Sequence, residues 1–302
     1  MIIADHVVSK GVKMNTMKGE LDFSGVEATA LLTLYAKAIE SQSKDPVLKD
    51  TKAEEMVRQL DPFLKKQTGR MARQLFGRSI DPRLTIHIPL RVKKYDYYAR
   101  SFLQRHPKGV IVNIGCGLDP RFYRIDNGHV HFFDLDLPML IRLKKQLLEE
   151  NDRYLMIGQT VLDHSWMDRV AAEQQPVMFL AEGVFMYLPE AEMKKLVLVM
   201  QRRFPGSELV CELTNRTWVE GFWGKIAAYK MKQRIKMGAD AAFKFGVSAA
   251  EEVETWADGI KLFEKWFYMD GNNPKLGWIS IFRKWKLFRK AQFTACYRLN
   301  PS

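Results

Sequence analysis

The amino-acid sequence predicts an α/β fold with a doubly wound, mainly parallel sheet. Short apolar runs alternate along the chain with segments whose apolar residues recur at helical spacing. The glycine turn Gly115-Cys116-Gly117 follows the first run, residues 109–114, and carboxylates follow the later runs. An apolar run that enters a tight glycine turn is typical of a buried parallel strand, so the alternating part begins at residue 109.

Four more strands are predicted, at residues 129–135, 154–158, 177–181 and 208–213. The intervening segments at residues 139–148 and 190–204 carry apolar side chains on one helical face. Five strands with helices between them imply a doubly wound sheet. A last strand-like segment, residues 293–299, lies near the end of the chain.

The residues before the sheet are predicted to form a helical layer. Apolar residues recur at helical spacing in residues 26–39, 52–64 and 68–76, and Asp-Pro pairs interrupt the pattern. We expect residues 1–95 to form a helical N-terminal cap that contributes to a cofactor site, and residues 96–302 to form the core.

The segment at residues 216–270 is rich in aromatic side chains and is predicted to be a helical insertion. An insertion after the fifth strand is a natural place for an element that covers the substrate. The alternative is that the aromatic residues pack a peripheral helical layer. The residues concerned are Trp218, Phe222, Trp223, Tyr229, Phe243, Phe245 and Trp256.

The composition is that of an ordinary globular protein. Hydrophobic residues make up 47% of the 302 residues and charged residues 27%. The three cysteines are widely spaced and form no CxxC pair, so neither a disulfide framework nor a metal site is predicted. The first residues lack the apolar stretch of a signal peptide, and no apolar run is long enough to cross a bilayer. We therefore expect a cytoplasmic protein without a membrane partner.

The formal net charge of +12 raises the question of an acidic partner. The basic residues match no nucleic-acid-binding motif, so a nucleic-acid partner is not favoured. Two interpretations stay open, namely solvated basic faces and a functional surface that attracts an anion. The basic stretches are residues 65–78, 91–94, 225–236 and 283–290.

The glycine turn and the acidic pair after the second strand indicate a nucleoside ligand. Glycine at positions 115 and 117 allows a ligand to approach the backbone, but the turn matches neither the dinucleotide fingerprint nor a phosphate-binding P-loop. Asp134 and Asp136 follow at the distance where a carboxylate accepts hydrogen bonds from both ribose hydroxyls. The alternative is that these residues cap the next helix.

Two later carboxylates extend the predicted site. Asp163 lies in the loop Val161-Leu162-Asp163-His164, where its carboxylate is placed to accept from the exocyclic amine of adenine. Glu182 ends the fourth strand, at the sheet edge where ligands bind. Because a buried unpaired carboxylate is costly, we expect a cationic partner for Glu182, such as an amino or sulfonium group.

Three motifs occur in a specific order along the chain. They are VIVNIGCGLDPRFYR at residues 110–124, FDLDLP at residues 133–138 and AEGVFMYL at residues 181–188. With the upstream segment Arg91-Val-Lys-Lys-Tyr-Asp96 they resemble the leucine carboxyl methyltransferase family, particularly its polyketide O-methyltransferase branch of the tetracenomycin type. Lys93 stands where a second arginine is usual in that family, and Cys116 and Asn113 also depart from its pattern.

The resemblance implies a class I methyltransferase with a Rossmann-like sheet, which uses S-adenosylmethionine and releases S-adenosylhomocysteine. It implies that Arg91 pairs with the methionine carboxylate and that the turn at residues 115–117 approaches the methionine portion. It also implies that Asp136 holds the ribose, that Asp163 lies beside adenine and that Glu182 lies near the methionine end. The predicted cofactor-binding residues are Arg91, Gly115, Cys116, Gly117, Asp134, Asp136, Leu162, Asp163 and Glu182.

The chemistry implied is methyl transfer to oxygen. Because a sulfonium donor is already activated, the protein mainly has to align the acceptor oxygen and exclude water. A carboxylate acceptor needs no base, whereas a phenol benefits from one, for which His87, His164 and Tyr187 are candidates. The excess of basic residues favours an anionic acceptor, and the aromatic insertion favours a planar acceptor. We therefore expect the acceptor to be a small aromatic or polyketide-like compound.

Other functions remain as alternatives. The resemblance allows a protein C-terminal carboxylate as the acceptor. An RNA methyltransferase is not favoured, because Ala181-Glu-Gly-Val lacks the proline- and aromatic-rich tetrapeptide of many nucleic-acid N-methyltransferases. A non-catalytic nucleoside-binding protein and an NAD-dependent oxidoreductase are the remaining alternatives.

Overall fold

Seven strands of the described chain form one sheet. The computed structural model describes residues 26–220, 243–268, 274–275 and 291–302. Numbered in chain order, the strands are β1 (Val110–Ile114), β2 (His131–Asp136), β3 (Tyr154–Gly158), β4 (Val177–Ala181), β5 (Ser207–Thr214), β6 (Ile260–Phe267) and β7 (Gln292–Leu299). Their order across the sheet is β3-β2-β1-β4-β5-β7-β6.

The first five strands are parallel, as predicted. β1 pairs with β2 on one side and with β4 on the other, and the outer pairs β2–β3 and β4–β5 are also parallel. β7 runs antiparallel between β5 and β6. The predicted α/β sheet is thus confirmed, and the chain reverses between β3 and β4, so that β1 and β4 flank the crevice where doubly wound folds bind ligands.

Eight α-helices of the described chain cover the two faces of the sheet. They are α1 (Val26–Ser41), α2 (Thr51–Leu64), α3 (Arg70–Phe76), α4 (Pro82–Arg105), α5 (Arg121–Ile125), α6 (Pro138–Leu147), α7 (Trp166–Ala171) and α8 (Glu190–Arg203). One apolar core lies between α1, α4, α6 and the sheet. A second core lies between α7, α8 and the opposite face. Because both faces are covered, β1 and β4 are buried along their whole lengths.

A buried ion pair joins α6 to β2. Pro138 occupies the first turn of α6, where its missing N–H costs no hydrogen bond. One turn from the end of the helix, Lys144 is fully buried and its Nζ lies 2.7 Å from Oδ2 of Asp134. Burial opposes the charge of Lys144, but the neighbouring Asp134 carboxylate outweighs it and raises the pKa of Lys144.

Two features differ from the sequence prediction. The predicted boundary between residues 95 and 96 falls inside α4, which continues from Pro82 to Arg105. Within the predicted helical insertion at residues 216–270, β6 is a strand, and residues 250–256 form a 3-10 helix. The prediction of a wholly helical insertion is therefore wrong.

Some predicted features lie outside the described residues. They are the aromatic residues Phe222, Trp223 and Tyr229, the basic stretches at residues 225–236 and 283–290, and the first 25 residues of the cap. Within the part of the chain that is described, no helix has the length and apolar character needed to cross a membrane.

The Lys144–Asp134 pair gives a stability prediction. We expect Lys144→Met to lower the free energy of unfolding by about 3 to 5 kcal/mol, because it leaves a buried carboxylate without its cation. The matched control is Lys145→Met, since Lys145 is 43% exposed and pairs with Glu150 at the surface. That variant is expected to cost less than about 1 kcal/mol. Urea unfolding of the three proteins measures both values, and equal losses would contradict the prediction.

Candidate active site

A cavity of about 640 Å³ opens at the carboxyl ends of β1, β2 and β4. Its floor is formed by the strand ends and the turns that follow them. Its roof includes residues of α1 (Val26, Thr29, Ala30, Thr33 and Lys37) and of α4 (Ile88, Arg91 and Val92). Helices of the predicted N-terminal cap therefore contribute directly to the wall of the cavity.

The glycine turn after β1 lines this cavity. Gly115 and Gly117 have φ angles of +62° and +49°, in the left-handed region that favours glycine. A Cβ atom on Gly115 would lie 2.2 Å from Cγ2 of Val184, so glycine is required there by packing as well as by backbone conformation. Cys116 also lines the cavity, and burial raises the pKa of its thiol.

Asp136 presents its carboxylate to the cavity from the end of β2. The backbone N–H of Gly117 donates to its Oδ2 at 2.7 Å, and the N–H of Leu137 donates to its Oδ1 at 2.7 Å. Burial raises the pKa of Asp136, and these two hydrogen bonds oppose that effect. Each carboxylate oxygen keeps a second lone pair, so the fixed carboxylate is able to accept hydrogen bonds from a ligand.

Asp134 does not reach the cavity, which corrects its predicted role beside the ribose. It lies two residues before Asp136 on the same strand face, deeper within the sheet. Its oxygens accept from Asn113 Nδ2 at 2.8 Å and from the Tyr154 hydroxyl at 2.6 Å, in addition to the ion pair with Lys144. Asp134 is therefore a structural residue. Of the predicted acidic pair, only Asp136 is at the edge of the sheet.

The loop after β3 reaches the cavity through residues that the sequence did not single out. Gln159, Thr160 and Val161 line the wall. The predicted Leu162 and Asp163 are absent from that lining; Asp163 is exposed, and its Oδ1 accepts from the Ser165 N–H at 3.2 Å, just before α7. The loop was predicted correctly, but its first three residues, rather than Asp163, face the cavity.

Glu182, at the end of β4, is held between two arginines. Nε of Arg91 donates to its Oε1 at 2.7 Å, and Nη2 of Arg121 donates to its Oε2 at 2.5 Å. Burial opposes ionisation, but the two guanidinium groups hold the pKa of Glu182 below its usual value. Glu182 was predicted to require a cationic partner such as an amino or sulfonium group. The structure supplies Arg91 and Arg121 instead.

Arg91 is clamped by a second carboxylate. Its Nη1 donates to Oε2 of Glu212 on β5 at 2.9 Å, and Glu212 is fully buried. Ala181 and Cys211 are register partners on the parallel strands β4 and β5, so Glu182 and Glu212 are the next residues on neighbouring strands. Arg91 thus ties α4 to two adjacent strands through two carboxylates of the protein, and its pairing with a ligand carboxylate stays a prediction.

These side chains belong to one continuous set of ion pairs, which we call the buried ion-pair network. Its members are Lys37, Asp50, Arg91, Asp96, Asp119, Arg121, Arg124, Glu182 and Glu212. The network contains four cations and five carboxylates, so it carries one surplus negative charge. Burial opposes the ionisation of Asp119, yet Arg124, Lys37 and Arg121 hold its pKa well below the usual value.

Several network residues were not recognised from the sequence. Lys37 is only 2% exposed, lines the cavity and pairs with Asp119 at 2.5 Å. The sequence feature that could have identified Lys37 is its position among the apolar residues of α1. Arg121 fills the space between Asp96, Asn113 and Glu182. Asn113, which departs from the family pattern, bridges Arg121 to Asp134.

The three candidate bases occupy different environments. Tyr187 lines the cavity, and burial raises the pKa of its hydroxyl, so it remains a hydrogen-bond donor. His87 lies one turn before Arg91 on α4, with its ring edge-on to Tyr268 at 4.6 Å between centroids. Burial and the charge of Arg91 lower the pKa of His87 to about 4, so it is neutral at neutral pH. Neither His87 nor His164 is among the residues that line the cavity, and the charged neighbours of His164 are Asp163 and residues of α8.

Comparison with known proteins identifies the family. The sequence model described as leucine carboxyl methyltransferase matches residues 30–201. The tetracenomycin polyketide synthesis O-methyltransferase TcmP of Streptomyces glaucescens is 31% identical over 264 residues, which cover 87% of this chain and 89% of the relative. This chain belongs to the leucine carboxyl methyltransferase family. The resemblance inferred from the three motifs is thereby confirmed.

Further comparisons agree with this assignment. The S-adenosyl-L-methionine-dependent methyltransferase dpfgK of Gibberella zeae is 26% identical over 276 residues, covering 88% of this chain and 90% of the relative. A DUF574 family protein from Streptomyces avermitilis has the same fold, with a TM-score of 0.53 at 14% identity, over 90% of this chain and 97% of that one. The family member described here is an S-adenosylmethionine-dependent methyltransferase, so the NAD-dependent and non-catalytic alternatives are set aside.

The buried ion-pair network makes the stability of this methyltransferase dependent on pH. The pKa values of Asp119 and Glu182 lie below their ordinary values of 3.8 and 4.5 in the folded protein. A lowered folded-state pKa contributes stability that is present above the unfolded pKa and is lost as the pH falls through the folded pKa. We therefore expect the free energy of unfolding to fall as the pH is lowered below about 4.5.

Two variants test whether the buried ion-pair network causes this pH dependence. Glu182→Gln is expected to reduce the change in unfolding free energy between about pH 6 and about pH 3, because one carboxylate no longer titrates. Asp152→Asn, at an exposed position, is the control and is expected to follow the parent protein. Urea unfolding at a series of pH values measures the dependence. A Glu182→Gln profile parallel to that of the parent would show that the network does not set it.

Proposed function

We propose that this chain transfers the methyl group of S-adenosylmethionine to a hydroxyl or carboxylate oxygen of a small, aromatic or polyketide-like acceptor. The observation that carries the proposal is the cavity at the carboxyl edge of the sheet, where the fixed carboxylate of Asp136 and the buried ion-pair network face one space. The name of the tetracenomycin relative supports oxygen as the acceptor atom and a polyketide as the acceptor class.

The residues present fit the cofactor. The left-handed glycines at 115 and 117 allow close approach to the backbone, and Asp136 has free lone pairs for the ribose hydroxyls. Lys37 and Arg91 are the cations available for the methionine carboxylate, and the surplus negative charge of the network suits its amino and sulfonium groups. The bound cofactor supplies an activated methyl group, so the chain itself needs to orient the acceptor and exclude water.

The acceptor is proposed to enter at the end of the cavity lined by Ile88, Val184, Tyr187 and Leu188. Residues of the predicted substrate-covering insertion pack here, since the backbone N–H groups of residues 244 and 245 both donate to the Met186 carbonyl. The ring of Phe243 lies 5.6 Å from that of Tyr187. These contacts support a covering role for the described part of the insertion.

Acceptor chemistry is tested directly by a panel of compounds. The purified protein is incubated with radiolabelled S-adenosylmethionine and with phenols, aromatic carboxylic acids, a peptide with a C-terminal leucine and single-stranded RNA. We expect labelled ether or ester products from the small aromatic compounds. Label on the peptide alone would favour the protein C-terminus as acceptor, and label on RNA alone would overturn the proposal.

Replacement of Asp136 tests the position of the ribose. Asp136→Ala is expected to weaken S-adenosylmethionine binding by about 1.5 to 3 kcal/mol, through loss of charge-assisted hydrogen bonds. Asp163→Ala is the matched control, because that aspartate lies in the next loop but outside the cavity lining. Titration calorimetry measures both affinities. An unchanged affinity in the Asp136 variant would remove the ribose from this position.

Replacement of His87 tests the need for a base. Because His87 lies outside the cavity lining and its pKa is lowered to about 4, His87→Asn is expected to leave kcat with a phenolic acceptor nearly unchanged, whereas loss of a positioned general base would lower kcat by about a hundredfold. His164→Asn replaces a second histidine outside the cavity lining and is the control for loss of an imidazole, and its kcat is expected to be that of the parent. A fall of about a hundredfold in kcat for the His87 variant would contradict this expectation and identify His87 as the base.

A further inference from the structure

Glu212 supports the site without lining it. Its side chain is fully buried on β5 and lies outside the cavity lining, yet its carboxylate accepts from Arg91, which does line the cavity. A Cβ atom on Gly183, which lines the cavity, would lie 3.5 Å from Oε2 of Glu212, so this carboxylate lies close behind the cavity wall. Glu212 is therefore a charged group placed directly behind the site.

The surplus negative charge of the buried ion-pair network depends on this residue. Glu212 pairs with Arg91, while Arg91 also pairs with Glu182 and Glu182 with Arg121. One guanidinium group thus serves two carboxylates at this end of the network. Replacing Glu212 with a neutral side chain of the same shape would leave four cations with four carboxylates, and the surplus would vanish.

The cofactor and its product differ in charge by one unit at sulfur. In methyl transfer the acceptor oxygen bonds to the methyl carbon as the carbon–sulfur bond breaks, and the electron pair stays on sulfur. A sulfonium thereby becomes a neutral thioether, and the proton of a hydroxyl acceptor is released. The amino and carboxylate groups remain the same, so S-adenosylmethionine carries one net positive charge and S-adenosylhomocysteine carries none.

We propose that Glu212 is a specificity-determining residue that acts through Arg91: its charge makes the site prefer the sulfonium cofactor over the thioether product. The proposal rests on the cofactor site described under the proposed function. Electrostatic attraction in a partly buried site is much stronger than in water, so a surplus charge near the cavity favours the sulfonium. Loss of that attraction after transfer promotes release of the product.

The test compares affinities rather than rates. Titration calorimetry gives Kd values for S-adenosylmethionine, S-adenosylhomocysteine and a non-transferable analogue that has a protonated amine in place of the sulfonium. In Glu212→Gln, the preference for either charged ligand over S-adenosylhomocysteine is expected to fall about tenfold. Affinity for S-adenosylhomocysteine changes only through the amino and carboxylate groups, which all three ligands share, so that this change cancels in the preference ratio.

A matched control lies on the same strand. Glu208 is 2% exposed and is also paired with two arginines, Arg105 and Arg298, but it is at the opposite end of β5. Glu208→Gln removes the same charge from a buried position outside the cavity lining. Its preference ratio is expected to equal that of the parent protein, and an equal fall in both variants would overturn the proposal.

A second variant shifts the ratio in the other direction. Lys37→Gln raises the surplus to two negative charges, and Asp119 keeps Arg121 and Arg124 as partners. The preference for charged ligands should therefore rise, which tests the idea even if Glu212→Gln does not fold. Ratios that stay unchanged in these variants would show that Glu212 is only structural. Failure of the parent protein to bind either cofactor would instead refute the proposed function.

Discussion

The site depends on the clamp that Arg91 forms between Glu182 and Glu212. Two carboxylates at neighbouring strand ends would repel each other if both were buried without a cation. Arg91 comes from α4, so the carboxyl edge of the sheet is electrostatically complete only when the N-terminal helices are packed on it. Lys37 on α1 has the same relation to Asp119. The cofactor cavity is therefore complete only when α1 and α4 are packed on the sheet.

The sheet was predictable because parallel strands that are buried on both faces appear as continuous apolar runs. All five predicted strands, with the glycine turn after the first, lie within two residues of their predicted limits. β6 was missed because it is an edge strand of mixed polarity, with a register irregularity between Leu262 and Glu264. The cap was predicted to end at residue 95, whereas α4 continues from Pro82 through Pro89 to Arg105.

The location of a site residue was predictable where its position at the end of a strand is enough to place it at the cavity. Residues after a parallel strand reach the ligand edge, which placed Asp136 and Glu182 at the cavity. Sequence spacing could not separate Asp134 from Asp136, because the depth of Asp134 is set by Asn113, Tyr154 and Lys144 on other elements. Sequence analysis did not identify Glu212 for a similar reason, because it is connected to the cavity by a contact with Arg91, which lies 121 residues away in the sequence.

The charges of the cavity bear on how an acceptor is selected. The chain has a net charge of +12, but the cations that line the cavity, Lys37, Arg91 and Arg121, are each already paired with carboxylates of the network. Among the described residues, the basic surplus is therefore not concentrated at the cofactor end. This arrangement argues against simple attraction of an anion as the basis of selectivity there. For the proposed aromatic acceptor, the apolar wall near Tyr187 is better placed to discriminate, because burial of an aromatic ring there would both bind the acceptor and exclude water from the reacting oxygen.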